Sequence, residues 1–369
     1  MSVVNHPRRE PPTRQEGQLP GSISGILDQG GVIASVIIVA HDRRQFLRAA
    51  IESVLSQDLD RPLYELVVVK NFLDPGIDSF LDDAGAKRIL CFDKPQNLKI
   101  AEGLRACQGR IVLLLDDDDL FESNKLRTVL SEFQTHPTLG FYHNQFTYVG
   151  PNGDPLENDR LRAFGLRPTK KARRIYLEAN ATSTQLSRLA YSYADFNSSS
   201  LAIRRDVVVK CLPYLLRVDG AVDTFLFFAA LLSPYSLLID DRVLTRYRVH
   251  TENISLAGGA DRKARRARLL ESATRHRHES LLTREMVLES RNSAVLREID
   301  ARILINRLTT IYRDSQSDRL DAILTLIQGL RLRQTSAVKE NIPSVAGALL
   351  FAFAPRVARA VYEYQVSVR

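Results

Sequence analysis

The chain has 369 residues, of which 44% are hydrophobic and 25% are charged, and its formal net charge is +8. This composition is that of ordinary globular proteins and excludes a chain that is disordered throughout. The three cysteines are odd in number and widely separated, which excludes a disulfide framework and a cysteine-based zinc site and favours a reducing, cytoplasmic compartment.

The N-terminal segment is rich in proline and polar residues. It contains four prolines within residues 1–31 and lacks the apolar core of a secretory signal, so we predict a disordered lead there. The longest apolar stretch elsewhere, Ile342 to Ala354, is shorter than the roughly 18 to 20 residues that a membrane-spanning helix requires. The sequence therefore predicts no spanning helix.

Strand and helix patterns alternate after this lead. The β-branched run Val32 to Val39 predicts a buried strand, and apolar residues at helical spacing over residues 46–55 predict an amphipathic helix. Leu66 to Val69 predicts a second buried strand. Residues 98–107 predict another helix, for which Gly109 would be the left-handed C-cap.

The third strand, Ile111 to Leu115, is the most apolar of the set. This alternation predicts an α/β fold with a doubly wound sheet, and such sheets bind ligands outside the carboxyl ends of their strands. Residues 150–197 are polar and predict a partly mobile loop. Strands at 200–203 and 235–239, with a helix at 224–232 between them, would complete the sheet.

Beyond residue 259 the pattern is helical and contains few helix breakers. We therefore predict three parts of the chain. They are the lead over residues 1–31, an α/β domain over residues 32–258, and a helical C-terminal extension over residues 259–369.

Four consecutive aspartates, Asp116 to Asp119, follow the third strand. Carboxylates this close repel one another unless a cation compensates their charge, and Mg²⁺ or Mn²⁺ prefers such oxygen ligands. The run therefore predicts a metal site at the end of the strand. A solvated acidic turn is the alternative interpretation of the same four residues.

Three segments of the chain resemble glycosyltransferase family 2. The opening strand and helix of that family resemble SVIIVAHDRRQFLRAAIESVLSQ, Ser35 to Gln57. Its DxD segment resembles GRIVLLLDDDDLFESNKL, Gly109 to Leu126, and its closing signature resembles DRVLTRYRVHTENIS, Asp241 to Ser255. The resemblance implies a GT-A fold with a mixed sheet, a nucleotide-sugar donor and an inverting transfer, and it makes residues 32–258 the catalytic domain.

By this resemblance, the donor diphosphate and the metal would lie at the acidic run. Asp116 and Asp117 would hold the nucleotide, Asp118 would bind the metal directly, and Asp119 would support the turn. His250 would reach the same metal or diphosphate, or would serve a structural role only. The cofactor would be Mg²⁺ or Mn²⁺, which neutralises a leaving diphosphate as a Lewis acid.

The nucleotide side would include Val39, His41, Asn71 and Lys99. His41 replaces the usual tyrosine of the family and would stack on the base. Lys70 and Asn71 replace two aspartates that help to grip the base, so the donor stays open among UDP-, GDP- and dTDP-linked sugars. Lys99 would face the diphosphate, and a solvated helix residue is the alternative interpretation.

An inverting transfer also needs a base that takes the proton of the acceptor hydroxyl, and the resemblance places this base at Asp223. The family has an acidic pair there, whereas Val222 precedes Asp223 in this chain, so Asp219 is a reserve candidate. The structural alternative is that Asp223 is a helix N-cap. The side of the site that faces a glycan or lipid-linked acceptor would be lined by Asn197, Ser198 and Ser199.

The formal charge excess lies in the C-terminal part of the chain. Residues 261–369 carry 20 lysines and arginines against 12 acidic residues. The basic run at residues 262–268 would contact nucleic acid or anionic lipid, or would be a solvated helix face. Interleaved aromatic residues are absent from residues 261–277, which disfavours nucleic acid as a partner and a basic nucleic-acid-binding protein as the function.

Two further alternatives concern the reaction and the location. A metal-dependent nucleotidyltransferase would normally carry a glycine-rich loop after the first strand, and the residues there lack glycine. Val345 to Tyr364 joins an apolar stretch to an arginine-bearing helix, which predicts contact with the membrane interface beside a lipid-linked acceptor, or packing against the catalytic domain. We therefore predict a cytoplasmic enzyme. If Val345 to Tyr364 contacts the membrane interface, the enzyme would be peripheral to the inner face of the membrane.

Overall fold

The structure is a computed structural model. It describes residues 31–163, 166, 173–189, 192–250, 253, 262–314, 318–333 and 335–368. The disordered lead predicted over residues 1–31 lies outside the described residues, apart from Gly31.

Strands and helices alternate through the first part of the chain, and helices follow. The described strands are β1 (Ala34–Ala40), β2 (Tyr64–Lys70), β3 (Lys87–Leu90), β4 (Ile111–Asp116), β5 (Leu120–Phe121), β6 (Leu139–Val149), β7 (Ile175–Leu177), β8 (Leu201–Arg204) and β9 (Ser236–Arg248). The described helices are α1 (Leu47–Leu55), α2 (Pro75–Asp83), α3 (Gln96–Ala106), α4 (Lys125–Thr135), α5 (Asn158–Ala163), α6 (Ser183–Leu186), α7 (Arg205–Leu215), α8 (Val222–Leu231), α9 (Arg262–Ser290), α10 (Ser293–Arg313), α11 (Arg319–Gly329), α12 (Ser336–Glu340), α13 (Ile342–Phe353) and α14 (Pro355–Val368).

The strands form one mixed sheet in the order β3-β2-β1-β4-β8-β6-β9-β5, and β7 pairs with β9. The first four strands of this order are parallel, and β8 runs antiparallel to both β4 and β6. β9 is parallel to β6 and antiparallel to β5 and β7. The predicted doubly wound mixed sheet, with a helical C-terminal region, is therefore confirmed.

The central strands are buried on both faces. Along β1, Ile37 and Val39 face α3, α7 and α8, whereas Val36 and Ile38 face α1 and α4. Burying one such side chain stabilises the fold by about 1.5–3 kcal/mol, which favours a continuous apolar run over an alternating one. The three strands predicted from apolar runs are all present, with ends within two residues of the prediction.

Gly109 does not cap helix α3, so this prediction was wrong. The helix ends at Ala106, and its C-cap, Cys107, has an extended backbone with φ −81° and ψ 150°. Gly109 instead permits a close approach between the loop before β4 and strand β1, because a β-carbon there would lie 2.5 Å from the carbonyl carbon of Ala34. Its amide also donates to Ser35 Oγ at 2.9 Å. The glycine thus serves the packing of β4 against β1.

Strand β9 is longer than the pattern at residues 235–239 indicates. It continues to Arg248 because it pairs with β6 along most of its length. The polar interruption at Asp240 is tolerated because this buried carboxylate accepts from Tyr142 Oη at 2.6 Å and from Arg242 Nε at 2.7 Å. The second half of β9 pairs with β5, next to the acidic run.

The C-terminal helices pack against the α/β domain. Met286 and Val287 of α9 and Ile299 of α10 lie in the same apolar core as Phe228 of α8. The helical character predicted for the C-terminal extension is confirmed for its described residues. Among the described helices, none is long and apolar enough to cross a membrane.

Candidate active site

The acidic run lies where β4 ends at the edge of the sheet. Asp116 is the last residue of β4, and Asp117 to Asp119 form the turn into β5. Carboxylate oxygens of Asp116, Asp118 and Asp119 lie within 4.8 Å of one another, which allows one metal ion to contact all three. Asp119, which was expected only to support the turn, therefore joins Asp116 and Asp118 as a candidate ligand.

Burial and mutual repulsion favour the protonated forms of these carboxyl groups. Burial, followed by repulsion from Asp118, raises the pKa of Asp116 to about 7. Burial raises the pKa of Asp117 to about 7, although the charge of Arg43 opposes this. The pKa of Asp119 is raised well above its ordinary value by burial and then by the charges of Asp118 and Asp116. A divalent cation would relieve this repulsion.

Arg43, in the loop after β1, brings positive charge to the cluster. Its Nη1 donates to Asp118 Oδ2 at 2.5 Å, and its Nη2 donates to Asp117 Oδ1. Although burial opposes it, the charges of Asp117 and Asp118 raise the pKa of Arg43 above its ordinary value. The backbone amide of His41 also donates to Asp117 Oδ2, at 3.4 Å. Asp117 is therefore held by the loop that follows β1.

The end of β9 closes the opposite side of the acidic turn. His250 Nε2 lies 3.0 Å from Asp118 Oδ2, and the imidazole packs on Phe46 with ring centroids 4.7 Å apart. Arg248 Nε donates to the carbonyl of Asp118 at 2.6 Å, and its backbone amide donates to Asp119 Oδ1 at 2.9 Å. The closing signature thus supports the acidic turn directly, and His250 lies beside the predicted metal ligand.

One short segment connects the acidic run with the predicted catalytic base. Ser198 Oγ donates to Asp116 Oδ2 at 2.9 Å, and the Asp116 amide donates to Ser199 Oγ at 3.0 Å. On the other side, the Asn197 amide donates to Asp223 Oδ2 at 2.8 Å. The φ of Asn197 is 72°, in the left-handed region that asparagine tolerates better than most residues. Two aspartates that are far apart in the chain are thus joined through consecutive residues.

Asp223 lies in the first turn of α8 and is not its N-cap. The N-cap is Ala221, with a φ of 35°, so the N-cap alternative was wrong. The Asp223 carboxylate accepts from the amides of Asn197 and Thr224, each at 2.8 Å. Burial is the main cause that raises the pKa of Asp223 to about 6, and the charge of Asp195 adds to it. The group is therefore ionised at neutral pH and more basic than an ordinary aspartate, which suits a general base.

A second buried carboxylate reaches this region from the C-terminal extension. Glu279 of α9 is 3% exposed, and neither of its oxygens has a hydrogen-bond partner among the described residues. It packs against Gly220, where a β-carbon would lie 2.4 Å from Glu279 Oε1. Burial raises the pKa of Glu279 to about 7, with opposition from Arg275 and a further increase from Asp223 and Asp219. Asp219, the reserve base, is exposed.

The predicted nucleotide side is built at the ends of β1 and β2. The Asn71 Oδ1 accepts from the Asp42 amide at 2.9 Å, and Asn71 Nδ2 donates to Asp42 Oδ1 at 2.8 Å. His41 lies in the same loop, and burial together with the charge of Lys99 lowers its pKa. A neutral imidazole at neutral pH is compatible with the stacking role predicted for His41.

Three other residues of this side make contacts within the protein. Lys99 is buried, and its Nζ donates to the carbonyls of Asp93 and Lys94 in the loop before α3. The Val39 side chain packs in the core. Lys70, which replaces an aspartate of the family, is fully buried and its Nζ lies 2.7 Å from a carboxylate oxygen of Asp78. Lys99 as a diphosphate ligand stays a prediction.

Lys125, the lysine of the resembling DxD segment, supports the site from inside. Its Nζ donates to the Ser199 carbonyl and to Thr245 Oγ1, the latter at 2.9 Å, and it lies 3.9 Å from the centre of the Phe121 ring. Burial lowers the pKa of Lys125 well below its ordinary value, and the charge of Asp119 opposes this. The lysine thus joins α4 to the segment that carries the serines.

Sequence reasoning missed Arg43, Gln96 and Glu279. Arg43 received no predicted role, although a basic residue shortly after the first strand was a usable signal. Gln96 Nε2 donates to Asp116 Oδ1 at 2.7 Å, from the first residue of α3. Glu279 had no signal in the sequence, because its setting depends on how α9 packs beside Gly220.

The donor set fits a hard divalent cation. Three carboxylates converge within 4.8 Å, and Asp119 Oδ2 is buried without a hydrogen-bond partner among the described residues. A buried carboxylate oxygen of this kind is costly unless a cation or a proton compensates it. Carboxylate oxygens are the ligands that Mg²⁺ and Mn²⁺ prefer, so the residues present suit either ion.

The carboxylates converge at the carboxyl end of a central strand in a mixed α/β sheet. The protein is therefore of the class of α/β proteins that bind ligands at this edge of the sheet. Residues 35–210 match Glycosyl transferase family 2. The match spans 176 residues, a little under half of the chain, and it confirms the resemblance to this family over the opening and acidic motifs, whereas the closing motif lies beyond it.

Similarity to individual proteins is low. An uncharacterized glycosyltransferase of Nostoc sp. is 25% identical over 229 residues, which are 59% of this chain and 65% of that relative, a little under two thirds of its length. Staphylococcus aureus TarS in complex with UDP has 14% identity and a TM-score of 0.45, with coverage of 86% of this chain and 90% of that chain. The mannosyltransferase PcManGT from Pyrobaculum calidifontis, in complex with GDP-Man and Mn²⁺, has 14% identity and a TM-score of 0.48, with coverage of 92% and 87%.

Proposed function

We propose that this protein is an inverting glycosyltransferase that moves a sugar from a nucleotide-sugar donor to an acceptor hydroxyl. One observation carries the proposal. Consecutive residues hold a carboxylate of the acidic run and the candidate base, since Ser198 contacts Asp116 at 2.9 Å and the Asn197 amide contacts Asp223 at 2.8 Å. An inverting displacement needs a leaving-group site and a base on opposite sides of one anomeric carbon, and these two carboxylates flank one short segment.

On the donor side, the nucleotide would lie over the ends of β1, β2 and β4. His41 would stack on the base, and the paired side chains of Asn71 and Asp42 would lie beside it. The donor sugar would be linked to UDP, GDP or dTDP, and the screen described below distinguishes these three classes. Asp116, Asp118 and Asp119 would hold Mg²⁺ or Mn²⁺, which when bound neutralises charge on the diphosphate that leaves.

On the acceptor side, Asp223 would take the proton of the attacking hydroxyl. Two backbone amides orient its carboxylate, and each of its oxygens keeps a further lone pair for the hydroxyl. The hydroxyl groups of Ser198 and Ser199 both contact Asp116. These contacts would fix the distance between the donor side and the acceptor side. Proton acceptance at a positioned carboxylate typically contributes 10²- to 10⁴-fold in rate.

The test is a screen of donor hydrolysis and transfer with UDP-, GDP- and dTDP-sugars in the presence of Mn²⁺ or Mg²⁺. Asp118→Asn should abolish metal-dependent donor binding, measured by calorimetry. Asp223→Asn should keep donor binding and lose transfer. Asp82→Asn is the matched control, because this aspartate is exposed on α2 and pairs only with Arg88 among the contacts described. Transfer that survives in Asp223→Asn at the unmodified rate would reject this base.

We further propose that the enzyme contacts an anionic membrane surface, where a lipid-linked acceptor would lie. Leu320 and Ile327 of α11 are 59% and 57% exposed, and Phe353 at the end of α13 is 74% exposed. Arg319 Nε donates to the Ala352 carbonyl at 2.8 Å, which brings the start of α11 to the end of α13. Exposed apolar residues together with the C-terminal excess of basic residues suit an anionic lipid surface.

Liposome flotation tests this contact. The full chain should float with vesicles of phosphatidylglycerol and not with vesicles of phosphatidylcholine, and Phe353→Ser combined with Leu320→Ser should reduce flotation. Leu73→Ser is the matched control, because Leu73 is 65% exposed in the α/β domain. Equal flotation of all three proteins would remove the membrane proposal. Buried, unpaired cysteines in the described structure support the proposed cytoplasmic location.

A further inference from the structure

Arg43 lies at the centre of the acidic site and within the opening segment that resembles the family, although none of the predicted roles includes it. Its guanidinium bridges two carboxylates, with Nη1 2.5 Å from Asp118 Oδ2 and Nη2 donating to Asp117 Oδ1. The Arg43 side chain is 22% exposed, and both carboxylates are nearly fully buried, so the ion pairs lie largely out of water. Such pairs are stronger than those at an exposed surface.

Asp118, one of the three candidate metal ligands, is the carboxylate that Arg43 occupies. Asp118 Oδ2 already accepts from Arg43, and His250 Nε2 lies 3.0 Å from it. Mg²⁺ lies about 2.0–2.1 Å from its oxygen ligands, so a cation bound to Asp118 Oδ2 would compete with the guanidinium nitrogen for the same side of that oxygen. Two positive charges about 4 Å apart near a protein surface also repel by roughly 4 kcal/mol per unit charge.

The arriving nucleotide supplies a new partner for the displaced guanidinium. Its diphosphate carries negative charge to the same edge of the sheet, and a guanidinium matches phosphate oxygens in bidentate fashion. Arg43 starts from the loop between β1 and α1, which is also the loop of His41 on the predicted nucleotide side. A change of side-chain rotamer would turn the guanidinium from the carboxylates toward a phosphate bound at this edge.

We propose that Arg43 is a diphosphate-binding residue that couples the binding of the divalent cation to the binding of the nucleotide. Without nucleotide, the guanidinium neutralises Asp117 and Asp118 and competes with the cation. With nucleotide, the guanidinium pairs with the diphosphate and the carboxylates become available to the cation. This inference rests on the proposed function, because it takes a nucleoside diphosphate as the ligand of the site.

The coupling has a thermodynamic consequence that can be measured without any transfer reaction. If nucleotide raises the affinity for Mn²⁺, then Mn²⁺ must raise the affinity for nucleotide by the same factor. Removing the Arg43 charge should strengthen the binding of Mn²⁺ alone and weaken the coupling. A residue that only stabilised the acidic turn would weaken Mn²⁺ binding when it is replaced, so the sign of the effect separates the two roles.

The experiment is a titration of the full-length protein with Mn²⁺, followed by the electron paramagnetic resonance signal of free Mn²⁺, with and without UDP or GDP. The Mn²⁺–nucleotide complex is measured separately and subtracted. Nucleotide should tighten Mn²⁺ binding to the unmodified protein by about tenfold or more. Arg43→Gln should bind Mn²⁺ alone about tenfold more tightly than the unmodified protein and should show little further effect of nucleotide.

Arg44→Gln is the matched control for the change in charge. Arg44 is 54% exposed, its Nε lies 3.7 Å from Asp74, and its guanidinium stacks on Phe72, so it lies outside the acidic cluster. This variant should bind Mn²⁺ and nucleotide as the unmodified protein does. Arg43→Lys keeps the charge but loses the bidentate geometry, and it should bind Mn²⁺ alone weakly while its coupling to nucleotide falls.

Two results would overturn the inference. The first would leave the proposed function standing, and the second would also reject the proposed metal site. Equal affinity of the unmodified protein and Arg43→Gln for Mn²⁺ alone, or weaker binding by the variant, would reject the role of Arg43 and leave the proposed function standing. No binding of Mn²⁺ by any of the proteins, with either nucleotide, would reject the inference together with the proposed metal site. Thermal unfolding of each variant verifies that the variants and the unmodified protein are all folded when their Mn²⁺ binding is compared.

Discussion

Glu279→Gln tests how the C-terminal extension is joined to the segment that carries Gly220 and the proposed base Asp223. Glu279 is a buried carboxylate without a hydrogen-bond partner among the described residues, and it lies against Gly220. The charged groups that act on it are Arg275 on its own helix, Asp223 in the first turn of α8 and Asp219 in the loop before α8. An amide has nearly the same shape as the carboxyl group and carries no charge, so the substitution removes the titration and keeps the packing.

The contribution of Glu279 to the free energy of unfolding follows from the difference between its pKa in the folded and in the unfolded chain. The pKa of Glu279 is raised from 4.5 to about 7, mainly by burial. The folded protein therefore keeps this proton where the unfolded chain releases it, and the stability due to this group is lost as the pH rises from about 4.5 to about 7. Because each pKa unit is worth about 1.4 kcal/mol, the upper limit is ~3 kcal/mol, and residual solvent contact reduces it to the order of 1–2 kcal/mol.

The assay is urea unfolding of both proteins between roughly pH 5 and pH 8. The free energy of unfolding of Glu279→Gln, relative to the unmodified protein, should rise by about 1–2 kcal/mol over this range, since all other titrations cancel in the difference. Glu285→Gln is the control on the same helix, because Glu285 is 51% exposed and its Oε2 lies 2.8 Å from Arg217. If the difference in the free energy of unfolding between Glu279→Gln and the unmodified protein does not change with pH, the reasoning is refuted.

Three further outcomes are expected. The transfer rate should rise as the pH passes about 6, because the proposed base Asp223 would accept a proton only when it is ionised, and initial rates against pH measure this. Gly109→Ala should lower the free energy of unfolding by about 1–3 kcal/mol in urea, because its β-carbon would lie 2.5 Å from the Ala34 carbonyl carbon. Lys125→Met should lower stability by about 1–3 kcal/mol and also lower kcat, because the Ser199 carbonyl loses a buried donor.

Each of these outcomes has a control or a contradicting result. A transfer rate that is flat through pH 6 would show that the rate does not depend on Asp223. Gly76→Ala should leave stability nearly unchanged or raise it, because its β-carbon would meet only Asp74 Oδ1 at 3.5 Å. Unchanged kcat in Lys125→Met would mean that the serine segment keeps its position without the lysine.

The central strands and the acidic run could be predicted because their signals are local. A strand buried on both faces needs a continuous apolar run, and Val36 to Val39 satisfies this within one stretch of chain. Asp116 to Asp119 directly follow such a strand, so their position at the carboxyl edge of the sheet follows from the order of residues alone. The family motifs extended this prediction to His250, which the structure places 3.0 Å from Asp118 Oδ2.

Gly109 shows where local reasoning failed. A glycine after a helical pattern commonly is a C-cap, but here the helix ends at Ala106. The requirement for glycine comes from β1, whose backbone at Ala34 approaches too closely for a β-carbon. Since that contact joins residues from different parts of the chain, no pattern around residue 109 could reveal it.

The residue types at the site, and the chemistry they can perform, were therefore available from the order of amino acids: carboxylates after a buried strand, and an aspartate at the start of a helix. Their assembly was not. The link from Asp116 to Asp223 runs through Ser198 and Asn197, and Arg43 meets the acidic run only because β1 and β4 are neighbours. Side-chain patterns record the local backbone and its burial, whereas contacts between distant segments depend on the path of the whole chain, which folding alone establishes.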